Sequence, residues 1–169
     1  MPDLAQNWYA LFVRSRHEFV TSGQLQKRGV EAFLPTISKI SRWSDRDKRI
    51  QVPLFPSYVF VHVKPSAETF LRILRTPGSV SFITHQPGFP APVDPAEMLL
   101  LKRMLDTGED VDVYPHLCEG ACVKVKHGPL DGAEGILVQK NKDHLFLVNI
   151  NILGRSVGMK IDADALELR

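Results

Sequence analysis

The chain opens with a clear hydrophobic signal. Trp8-Tyr-Ala-Leu-Phe-Val13 is a run of aromatic and branched residues that predicts a buried strand. Polar Arg14-Ser-Arg-His17 ends it, after which Phe19, Val20 and Leu25 recur through Glu18 to Arg28 ahead of Gly29, the pattern of a helix closed by a glycine. Val30 to Pro35 starts a second strand. Ile37 to Trp43 alternates and extends it toward the polar tip Ser44-Asp-Arg-Asp-Lys48, which predicts a hairpin loop. Ile50 to Val63 is the most strand-like segment once past Pro56. A short helix over 66–74, a turn at Thr76-Pro-Gly78 and a strand over 80–83 follow, then a helix over 95–107 with Asp94 as N-cap, Pro95 at its first position and Gly108 beyond its end. With sequential pairing this predicts an α+β first domain, an antiparallel sheet with flanking helices.

Beyond Gly108 the pattern changes. An acidic, irregular stretch with Pro115 predicts a linker. Val123-Lys-Val, Gly135-Ile-Leu-Val, Leu145 to Ile152 and Gly158-Met-Lys-Ile are then short strands between glycine or polar turns, which predicts a small all-β barrel of the SH3-like kind. The expected organisation is a first domain over 5–108, a linker over 109–118 and a second domain over 119–169. There is no internal repeat.

Composition adds limits. With 169 residues, 44% hydrophobic and 24% charged, the chain has the make-up of an ordinary globular protein. Its densest apolar run, Pro53 to Val61, contains two prolines and a serine, so no membrane span is expected. The N-terminus lacks the basic start and apolar stretch of a signal peptide, which predicts a cytoplasmic protein. Net charge is +2, yet residues 14–49 carry nine cations against four acids and residues 94–119 carry seven acids against two cations. A basic region on a nearly neutral chain suits a polyanion contact of limited size.

Cys118, Cys122 and His127 lack the paired spacing of a zinc knuckle, and no metal or cofactor is expected. No Ser-His-acid elbow is present, and Gly128 to Gly135 is not followed by the Gly-Lys-Ser/Thr of a phosphate loop. These absences predict a protein that is not an enzyme.

The order of motifs carries more information. Trp8-Tyr9, Phe33-Leu34-Pro35, Pro53-Leu-Phe-Pro-Ser-Tyr-Val-Phe-Val61 and Thr76-Pro-Gly-Ser-Val80 resemble the NGN domain of the NusG family of transcription elongation factors. Gly120, Val123-Lys-Val, Gly128-Pro-Leu-Asp-Gly132, Gly135 and Ile152-Leu-Gly-Arg155 resemble its KOW domain. Within the family, Arg14-Ser-Arg-His-Glu18, Trp43-Ser-Asp-Arg-Asp-Lys48 and Pro-Leu-Phe-Pro look closer to specialised paralogues such as RfaH and the UpxY antiterminators.

The resemblance implies a monomeric bacterial elongation or antitermination factor that binds the clamp helices of RNA polymerase, reduces pausing or termination, and links polymerase to a second factor. Tyr58 and Phe60 lie two apart on one strand and share a sheet face, so they are the leading polymerase anchors; Tyr9, Leu11, Phe55 and Phe82 are weaker candidates. Arg14, Arg16 and His17, where a strand passes into a helix, would approach the non-template DNA strand of the transcription bubble. Arg42, Trp43 and Arg46 on the hairpin would extend that contact. In the KOW domain the loop Ile152-Leu-Gly-Arg155 would meet either termination factor Rho or ribosomal protein S10, with Leu153 an exposed apolar anchor and Arg155 a polar one. The alternative is a ribosome-associated or RNA-binding KOW protein. Residues 120–169 hold seven cations against six acids, which weakens it.

Overall fold

The computed structural model describes residues 4–115, 120–140 and 142–169. They form two compact units, Met1–Pro95 and Ala96–Arg169.

The first unit runs β1 (Asn7–Val13), α1 (Glu18–Lys27), β2 (Glu31–Phe33), β3 (Thr36–Arg42), β4 (Asp47–Pro53), β5 (Tyr58–Val63), α2 (Ala67–Leu74), β6 (Ser79–Phe82), β7 (Thr84–Gln86), β8 (Phe89–Pro90) and β9 (Pro92–Val93). Its main sheet has the antiparallel order β2-β5-β1-β6, with β9 also paired to β1. In the β1–β5 register Tyr9 opposes Val61 and Leu11 opposes Val59, while Trp8 opposes His62, Ala10 opposes Phe60 and Phe12 opposes Tyr58. Side chains alternate along a strand, so the first set shares one face and the second set the other. The first face meets the helices: Tyr9, Leu11, Val13, Val59, Val61 and Phe82 bury in one cluster with Leu25 of α1 and Ile73 of α2. Gly29, at φ +77, terminates α1, and the Ser66 hydroxyl accepts the Thr69 N–H at 3.1 Å to start α2.

Two expected strands divide. The segment from Val30 to Trp43 breaks after Phe33, so that β2 joins the main sheet while β3 pairs only with β4 as a separate ribbon. Pro35 has no N–H for a continuous ladder, and its carbonyl instead accepts the Leu54 N–H at 2.8 Å. The segment from Ile50 to Val63 breaks at Leu54–Ser57, where Ser57 takes φ 68. The hairpin closes as expected, with the Trp43 N–H donating to the Arg46 carbonyl at 3.0 Å.

The second unit contains α3 (Pro95–Asp106, from Ala96 on), β10 (Val111–Pro115), β11 (Ala121–Val125), β12 (Glu134–Lys140), β13 (Asp143–Ile150), β14 (Arg155–Lys160) and β15 (Leu166–Leu168). These strands form a six-stranded antiparallel sheet in the order β10-β14-β13-β12-β11-β15, so the expected β-rich second half is present. The stretch expected to be a linker, 109–118, contributes β10. Val111 and Val113 oppose Met159 and Val157 of β14, and Val111 is buried while Asp112 is exposed. The acids that gave this stretch its linker character alternate with its valines; residues 116–118 lie outside the described set. Helix α3, expected to close the first domain, groups with the second unit instead. Its Arg103 donates to the carbonyls of Pro129 and Asp131 at 3.0 and 2.9 Å. Among the described residues no helix is long and apolar enough to cross a membrane.

Gly158 holds this second sheet together through the side chain it lacks. A Cβ there would sit 2.3 Å from Leu147 Cδ2 and 2.8 Å from the Tyr114 ring, which lies over the glycine. Gly158→Ala should therefore destabilise the second unit by about 1–3 kcal/mol. The measurement is amide exchange, with faster exchange expected across β13 and no change in β1.

Candidate functional site

The sheet face turned away from α1 and α2 is aromatic. The Trp8 ring stacks on His62 at 4.7 Å between centroids and meets Phe33 edge-on at 6.3 Å. Phe33 and Phe55 flank Phe60 at 6.5 and 6.1 Å, and Phe12 meets Tyr58 edge-on at 5.5 Å. Exposure is graded along this row: Phe60 is at 0%, Phe55 at 3% and Phe12 at 37%. Tyr58 is half-buried.

Tyr58 and Phe60 thus share a face, as their spacing requires, but Phe60 is not a surface anchor. Rings from β2 and from the turn before β5 enclose it. Phe55 is buried with it. Tyr9, Leu11 and Phe82 lie on the opposite face, where the Tyr9 ring packs on Phe70 at 5.1 Å and on Phe82 at 6.4 Å as part of the helix-side core. On this face the exposed ring absent from the sequence candidates is Phe12. Its signal was its place in the Trp8, Ala10, Phe12 alternation, hidden within a run, residues 8–13, that is hydrophobic at every position.

Beyond Phe12 the chain enters the basic turn. Arg14, Arg16 and His17 are all exposed here, brought together at the start of α1. The Arg14 N–H donates to the Gly78 carbonyl at 2.8 Å, Arg16 takes φ 65, and the His17 N–H returns to the Arg14 carbonyl at 3.0 Å. His17 Nδ1 lies 3.0 Å from the Ser15 carbonyl; since a carbonyl only accepts, Nδ1 is the donor in this contact. The turn at 76–78 braces this one. Thr21 Oγ1 donates to the Pro77 carbonyl at 2.9 Å, and a Cβ on Gly78, at φ +89, would fall 2.2 Å from that hydroxyl.

Glu18 supplies the third brace. It is buried, and its Oε1 accepts the Ser57 N–H at 2.9 Å, tying the first turn of α1 to the strained residue before Tyr58. Glu18→Ala would leave that N–H without a partner, for an expected loss of about 1–3 kcal/mol in denaturant unfolding, while Glu18→Gln keeps an acceptor and should lose less.

Arg42, Trp43 and Arg46 are exposed on the β3–β4 ribbon, a separate element from the turn. Trp43 is 64% exposed. In the second unit Asn151–Leu153 forms a 3₁₀ turn ending at Gly154, φ 58, and Arg155 is exposed. Leu153, expected to be an exposed anchor, is half-buried, and its turn is pinned: the Asn151 N–H and Nδ2–H donate to the Glu97 carboxylate of α3 at 3.2 and 2.6 Å. Elsewhere in this unit burial and the Asp112 carboxylate raise the Tyr114 hydroxyl pKa, and a 2.8 Å hydrogen bond to Asp143 raises that of Lys160. Cys122 is exposed, while Cys118 lies outside the described residues.

A family model described as "Transcription termination factor nusG" matches residues 6–102, which include the aromatic face, the basic turn, the ribbon and most of α3. The chain belongs to the NusG family. It is 23% identical over 175 residues to the transcription termination/antitermination protein NusG of Pseudomonas aeruginosa, covering 97% of this chain and 99% of that one. The NusG of Halalkalibacterium halodurans is 24% identical, with the same coverage. A solved structure of Thermotoga maritima NusG, described as showing domain interaction, aligns with a TM-score of 0.54 at 22% identity over 96% of each chain, a likeness of fold.

Proposed function

We propose that this NusG-family protein is a transcription termination/antitermination factor that docks on the clamp helices of RNA polymerase through its aromatic face. One observation carries the reading: the sheet face free of its own helices presents a row of rings ending in the exposed Phe12 and the half-buried Tyr58. A helix laid against rigid aromatic anchors is a recurrent recognition mode, and such anchors supply most of an interface's energy. In this reading Phe33, Phe55 and Phe60 support the surface from beneath. A factor that binds the closed clamp better than the open one disfavours pausing, and each kcal/mol of that preference changes the ratio about fivefold.

The test is binding of the purified protein to a reconstituted elongation complex. Phe12→Ala/Tyr58→Ala should weaken binding by about tenfold or more, as expected for truncating two anchors. Equal binding by variant and parent would move the contact to another face. Phe60→Ala is unsuitable, because emptying a buried ring site costs about 3–5 kcal/mol of fold stability.

The turn at Arg14, Arg16 and His17 would face the exposed DNA strand of the bubble, where a few cations suffice. Arg14→Ala/Arg16→Ala should then weaken binding to the complex and make it less salt-sensitive, reducing the log–log slope by about 0.7 per lost phosphate contact. An unchanged slope would remove the turn from the DNA interface. The KOW-like segment, residues 119–169, would reach Rho or ribosomal protein S10 through the loop bearing Leu153 and Arg155. The near-neutral charge of residues 120–169 supports a protein partner there over RNA.

A further inference from the structure

The β3–β4 ribbon stands outside the main sheet, paired only with itself. Its register divides its side chains into two unlike faces. Ile37 opposes Val52, Lys39 opposes Ile50 and Ser41 opposes Lys48; on this side Ile37, Ser41, Ile50 and Val52 are half-buried. On the other side Ser38 opposes Gln51, Ile40 opposes Arg49 and Arg42 opposes Asp47, and all six are exposed. Gln51 donates to the Ser38 hydroxyl, and neither Arg42 nor Arg49 enters an ion pair among the described residues. Ile40 is 64% exposed, a large aliphatic side chain between two arginines with nothing of its own unit to cover it.

We infer that this exposed face of the ribbon enters the major groove of duplex DNA, with Arg42, Arg49, Gln51 and Ser38 at base edges and phosphates. The inference rests on the reading above for the protein's position beside DNA, and goes beyond it in assigning the ribbon to duplex and not to the single strand. Three observations support it. Two strands about 4.8 Å apart, with side chains, match the roughly 12 Å major groove, which admits a two-stranded ribbon. The side-chain types are those that read base edges there: arginine for guanine, glutamine for adenine, a hydroxyl for either, and an aliphatic group for the thymine methyl. Charge complements the partner, since this face carries Arg42 and Arg49 against Asp47, with Arg46 beside Asp45 at the tip. Single strands are gripped mainly by stacking platforms, and here the aromatic group sits only at the tip, as Trp43.

The test titrates the full-length protein against a fluorescent duplex of about 20 base pairs and against one strand of it, at about 50 mM salt where phosphate contacts are strong. Arg42→Ala/Arg49→Ala should weaken duplex binding about tenfold and single-strand binding less than about twofold. Asp47→Asn, which removes an acid from the same face, should strengthen duplex binding. Equal losses on both probes, no loss on the duplex, or no duplex binding by the parent protein would each overturn the proposal. So would a ribbon variant that keeps duplex binding yet loses the elongation complex, which would assign the face to polymerase itself. Arg14→Ala/Arg16→Ala tested on bubble complexes judges the turn separately, so either assignment can fail while the other stands.

Discussion

The first unit depends on the antiparallel register between β1 and β5. With Leu11 set against Val59 and Phe12 against Tyr58, Tyr9, Leu11, Val59 and Val61 fall on the helix side and Trp8, Phe12, Tyr58 and Phe60 on the other. A slip of one residue would exchange the faces and put rings of the wrong size against Leu25 and Ile73. The same register that fills the core therefore builds the candidate docking surface. The surface is supported from below by the same packing: Phe33 and Phe55 flank Phe60, and Phe60 lies in the strand that carries Tyr58. A ring held from beneath loses little further freedom when a partner arrives, which favours binding.

The turn after β1 is fixed by the same strands. Val13 ends β1 in the core, so Arg14 leaves the sheet in a set direction, and the Gly78 carbonyl receives its N–H. Glu18 then joins α1 to Ser57, two strands meet at one helix start, and the cations project from a braced loop. The acid nearest these cations in sequence is buried and engaged with a backbone N–H, so it takes no part in the exposed surface.

Much of this was legible in the sequence, for physical reasons that also explain the rest. Periodicity and punctuation located β1, α1, β5, α2 and α3, because residues such as Gly29, Ser66 and Pro95 act locally. The shared face of Tyr58 and Phe60 followed from spacing alone. The burial of Phe60 did not, since the rings that cover it come from residues 33 and 55, and their approach is set by the break at Pro35 and the positive φ of Ser57. Phe12 was overlooked because a strand buried on both sides has no polar alternation to show which face a residue takes. The strand β10 was hidden by its acids, whose exposure required a partner strand some 45 residues away. The packing of α3 was beyond reach for the same reason: Arg103 and Glu97 look like ordinary helix-surface charges until the loops at 128–132 and 151–154 are brought to them.

Those two contacts bear on how the second unit works. Glu97 lies in the first turn of α3 and Arg103 in the last, and each holds one loop of the sheet by more than one hydrogen bond. Charged groups bonding to backbone make stronger contacts than neutral pairs. The loop that carries Leu153 and Arg155 is consequently ordered by a helix rather than by the sheet alone. Its half-buried leucine belongs partly to the unit's own packing, which leaves Arg155, exposed and just beyond the left-handed Gly154, as the freer of the two groups. Any partner of this loop thus meets a surface whose shape is set by α3, the last helix before β10, and whose affinity depends on that helix keeping its place.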